Sequence, residues 1–90
     1  MIEITAVRLE GGSDHEHITH VLWQSASSTG HTSRQALIEW LRVDSANEAG
    51  VVNERGRLPI RVVTPTNAPA YIRTEVDGAW TDDLLALPRF

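Results

Sequence analysis

At 90 residues, 41% hydrophobic and 22% charged, the chain has the composition of one soluble domain with a single core, spanning residues 1–90. It has no cysteine, which excludes a disulfide scaffold, a thiolate metal site and a cysteine nucleophile, and no run of about 18 apolar residues that would cross a membrane. Its net charge of −4 disfavours nucleic acid as a partner, because neutralising phosphate dominates that affinity.

Residues 2–9 (IEITAVRL) alternate as a strand, with Ile2, Ile4 and Ala6 on one face and Glu3, Thr5 and Val7 on the other. Gly11-Gly12 makes a turn, and residues 16–24 (EHITHVLWQ) read as a second strand forming a hairpin with the first. Its alternation places His17, Thr19, Val21 and Trp23 on one face, and Ile18, His20 and Leu22 on the other. Residues 25–31 are a small-residue loop. Thr32 followed by Gln35 has the spacing of a capping box, so a helix is predicted over residues 32–43. Leu37, Trp40 and Leu41 form its apolar stripe, while Arg34, Glu39 and Arg42 face water.

Further strands are predicted at residues 51–53, 58–64 and 70–76, the last running into the Asp77-Gly78 turn. The three leucines of residues 84–87 dock the tail on the body. The predicted order is β-β-α-β-β-β: an α+β domain with a small, mostly antiparallel sheet and one amphipathic helix on one face. Met1 runs directly into Ile2-Glu3-Ile4-Thr5, with no basic and then apolar leader, so the expected compartment is the cytoplasm.

Two blocks of residues carry a family resemblance. One is Ile4-Thr5-Ala6-Val7-Arg8-Leu9, the Gly-Gly turn and His15-Glu16-His17-Ile18, with Val21 and Trp23. The other is Tyr71-Ile72-Arg73-Thr74, Asp77-Gly78 and Asp82-Asp83-Leu84-Leu85-Ala86-Leu87-Pro88. Together they resemble the domain of unknown function DUF3892, found in bacteria, archaea and some phages; Asp83 stands where that family often has Asn. The resemblance implies a compact stand-alone domain, and it brings no catalytic residue with it. A phage-encoded or host accessory factor is the reading that this distribution implies.

The densest cluster of chemistry-bearing residues is Asp14-His15-Glu16-His17-Ile18-Thr19-His20. Imidazoles and carboxylates are ligands for zinc or another divalent transition metal. His15 and His17 share a strand face in this reading, and His20 or His31 completes the set. A polar strand whose histidines bond to neighbours is the plainer account, since no HExxH spacing supports a metal site.

A hydrolase is disfavoured, because no G-x-S-x-G elbow is present and Ser27-Ser28-Thr29-Gly30 is an ordinary loop. No phosphate-binding motif occurs either: Gly11-Gly12 precedes a strand, not a helix. The eight basic residues are all arginine and scattered, a coding bias sooner than a recognition patch. Trp23, Arg73, Trp80 and Asp82 are candidate partner-binding residues, since Trp and Arg dominate interface hot spots. Trp23 with Tyr71 would also make a base-stacking platform, against which the negative charge argues.

The leading expectation is therefore a non-enzymatic interaction module without a cofactor. It would act through a sheet face or edge on a protein partner or on a second copy of itself. The alternative is a metal-binding protein, enzyme or sensor, built on His15, His17, His20 and His31.

Overall fold

The computed structural model describes residues 1–90. Ile2–Leu9 forms β1 and Ile18–Gln24 forms β2, paired antiparallel as the alternation predicts. Two bulges in this pair decide which side chains enter the core. The register passes from Ile4↔Trp23 to Ala6↔Leu22, leaving Thr5 over, and from Arg8↔His20 to Leu9↔Ile18, leaving Thr19 over. Each extra residue inverts the alternation. Ile4, Val7 and Leu9 consequently share the inner face with Ile18, Val21 and Trp23. Strict period-two counting placed Val7 opposite Ile4 and Ile18 beside Leu22; both assignments are corrected.

The start of the second strand is also corrected. His15–His17 is one turn of 3-10 helix, closed by the His17 amide donating to the Asp14 carbonyl at 2.9 Å. Thr29–Ser33, expected as the end of a loop and the start of the helix, forms β3 against β2, in unbroken register from His20↔Ser33 to Gln24↔Thr29. Its Thr-Gly-His-Thr-Ser has no apolar residue and so no hydrophobic period to detect. Helix α1, Arg34–Val43, therefore starts later than expected. Ser33, not Thr32, caps it by accepting from the Ala36 amide at 3.1 Å, because Thr32 is engaged in β3 opposite Val21. Leu37 and Ile38 are buried, with Trp40 and Leu41 packed partly against the core.

Ala49–Asn53 forms β4, which returns parallel to β1 through Ile2↔Ala49 and Glu3↔Gly50. Gly56–Val63 forms β5, whose first half pairs with β4 and whose second half, Ile60–Val63, pairs with Tyr71–Val76, β6. Pro59 lies where pairing passes from one neighbour to the other, a place where its missing N–H is tolerated. Asp77 and Gly78, with φ of 52° and 82°, make the two-residue turn into β7, Ala79–Thr81.

The result is a mixed seven-stranded sheet, in the order β3-β2-β1-β4-β5-β6-β7, not the five strands expected. The tail then returns to β1 beyond the stretch β4 occupies: the Val7 amide donates to Pro88, and the Phe90 amide to Val7. Leu84 is fully buried, joining Ile4, Val7, Ile60 and Ile72 in one core. No helix is long and apolar enough to cross a membrane.

Candidate functional site

The two blocks that carry the family resemblance meet in space. The 3-10 turn packs against β6, bringing Asp14, His15 and Glu16 to Tyr71, Arg73, Asp82 and Leu85 around a polar cleft of about 310 Å³. Arg73 braces the end of β7: its Nε donates to the Thr81 carbonyl at 3.1 Å, and its guanidinium pairs with Asp82 at 2.9 Å. His15 is only 7% exposed, and its Nε2 is buried without a hydrogen-bond partner, 3.9 Å from Asp82 Oδ1. Burial lowers its pKa below the ordinary histidine value and Arg73 adds to this, while Asp82 and Asp14 oppose it. The imidazole thus lies buried and unbonded beside the Arg73–Asp82 ion pair.

The other histidines go elsewhere. The His17 ring lies over Gly12, where an added Cβ would collide with it, and its Nδ1 accepts from the Asp14 amide at 3.1 Å. His17 groups with Asp14 and Glu16, their ligand atoms within 4.8 Å of one another. His20 and His31 lie on the outer face of β2 and β3, two register pairs apart, and His20 Nδ1 contacts the Thr19 hydroxyl at 3.1 Å. His15, His20 and His31 belong to no such group of three.

The four partner-binding candidates fall in three places. Arg73 and Asp82 bind each other. Trp80, 44% exposed, stands on β7 opposite Glu75. Trp23 is near the other end of the sheet, and Tyr71 lines the polar cleft, so the two aromatics do not form one platform. Asp83 takes a structural place: it accepts from Asn53 and Arg55, tying the tail to the β4–β5 turn. A hydrogen bond from Thr81 holds its carboxyl below the usual range, with Arg55 and Asn53 adding to that.

Trp23 lines the largest apolar recess. Ile2, Trp23, Ala36, Leu37 and Trp40, with Thr32 as the one polar wall, surround a cleft of about 360 Å³ between α1 and the β3 end of the sheet. Trp23 faces Gly30 across the β2–β3 pair, where a Cβ would meet the indole Cζ2 at 2.8 Å. Glycine thus lets the indole lie across the edge strand. Sequence spacing predicts Trp40 as a core residue and Thr32 as a helix cap. Nothing in their spacing shows that a hidden strand would set Thr32 beside both tryptophans.

No curated protein and no solved structure matches the chain. Residues 3–88 match the family described as Protein of unknown function (DUF3892), the family that the two blocks meeting at the polar cleft resemble, and the chain belongs to it.

Proposed function

We propose that the protein is a non-enzymatic binding module of the cytoplasm, engaging a protein partner through the β3 end of its sheet. The observation that carries this reading is the apolar cleft walled by Trp23 and Trp40 beside an edge strand. Such a cleft offers no acid, base or nucleophile to a substrate. It does offer apolar surface for an anchor side chain, next to backbone groups that accept an added strand. Thr32→Arg at the cleft wall tests this in an affinity capture from the native cell. A protein held by the wild type should be lost with Thr32→Arg and kept with Trp80→Ala on the opposite edge. Equal recovery with Thr32→Arg would remove the cleft from the binding surface.

A second reading has one specific support, the approach of Asp14, Glu16 and His17 as ligands for zinc or another divalent transition metal. The Asp14 amide bonded to His17 Nδ1 opposes it: that bond leaves the ring proton on Nε2, and no lone pair is free for an ion until it breaks. Calorimetric titration of tag-free protein with zinc decides the matter. One-site binding abolished by His17→Ala supports the reading, and no binding heat removes it.

A further inference from the structure

Edge strands expose unpaired backbone N–H and C=O groups, and proteins blunt them with charge, proline, bulges or short length. The two edges of this sheet differ in that respect. Edge β7 is three residues long and lies between Asp77 and the pair Asp82-Asp83. Two copies meeting there would share only three residues of ladder on each side, with Asp77 at one end of it. Edge β3 is longer, its register with β2 is unbroken, and it has no proline. From His17 through Ser33 the sequence has no Asp, Glu, Lys or Arg at all, so the whole β2–β3 hairpin presents an uncharged border.

We infer that the occupant of this border is a second copy of the chain, joined β3 to β3 antiparallel about a twofold axis at His31. The inference rests on the reading of the β3 end as a binding surface, and it names the partner. The strand Thr29-Gly30-His31-Thr32-Ser33 is self-complementary in this register. On the outer face, Thr29 meets Ser33 of the second copy, a hydroxyl pair, and His31 meets its counterpart. On the inner face, Gly30 meets Thr32 of the second copy. The Trp23 indole lies over Gly30, so the incoming threonine methyl packs on an aromatic face that any larger residue at position 30 would displace. The isologous contact closes on itself and leaves β7 as the edge at both ends of a continuous sheet.

His31 is exposed and on the outer face, so its replacement leaves the core untouched. Sedimentation equilibrium of the full, tag-free chain from micromolar to millimolar concentration is the test. The wild type and His31→Gln should show a reversible monomer–dimer equilibrium. His31→Glu and His31→Lys, each setting like charges face to face, should each weaken it by roughly fivefold or more. An equimolar mixture of those two variants should recover association. A wild type monomeric throughout overturns the self-pairing but leaves the binding-module reading, which stands or falls by the Thr32→Arg capture. A dimer unchanged in His31→Glu and His31→Lys also overturns it, because the interface then lies away from β3.

Discussion

His15 shows how one buried group links acid to stability. Its Nε2 makes no hydrogen bond, so removing it forfeits none. Its pKa is lowered in the folded chain, so between that value and the ordinary value near 6.5 the unfolded chain binds a proton that the folded chain refuses. Stability at this site is therefore complete above about pH 6.5 and is lost as pH falls towards the folded pKa. His15→Leu should lie close to the wild type at pH 7.5 and be the more stable of the two at pH 5.5, measured by urea unfolding at both. Parallel losses in the two proteins would show that His15 is not the group responsible. Asp83 has the same sign in a more acid window. Its lowered pKa contributes stability above the ordinary carboxylate value near 4 and loses it only as pH falls through the folded value.

Among the elements, the boundary between β3 and α1 was the hardest to read. Two adjacent hydroxyl residues precede the helix, and either can cap. Pairing decides between them: Thr32 has a partner in β2, which leaves Ser33 at the end of β3 to receive the Ala36 amide. Ser33→Ala should cost about 1 kcal/mol, and Thr32→Ala markedly less, in chemical denaturation. An equal loss in both would mean that the cap is shared. Strands β1, β5 and β6 are visible in the sequence because apolar residues recur along each of them. β3 and β7 are not, since their residues are polar or few and neighbouring strands alone define them as strands.

On the scale of the whole molecule, the tail is part of the body. Its main chain bonds to Val7, and Arg8 lies 4.6 Å from the Phe90 ring centroid, so the two ends of the sequence hold each other. Leu84 is fully buried against strands distant in sequence. Leu84→Ala should cost about 2–5 kcal/mol, the range for a buried leucine with its cavity. A small domain has roughly 5–15 kcal/mol in total, so a fall in Tm of many degrees is the expected readout. A shift of only a few degrees would place Leu84 outside the cooperative unit.

Local chemistry was enough to establish one α+β body, a first hairpin, a helix with Leu37 inside, the Asp77-Gly78 turn and a docked leucine tail. Hydrophobic period, turn residues and caps act over a few positions and can be read in order. The faces of β1 and β2 were beyond that reach, because the Thr5 and Thr19 bulges arise only when two strands compete to bury Ile4, Val7, Ile18 and Val21 together. The candidate sites were beyond it as well. His15 meets Asp82, and Trp23 meets Trp40, through pairings set by the sheet and the helix across it, and spacing along a chain does not carry that information.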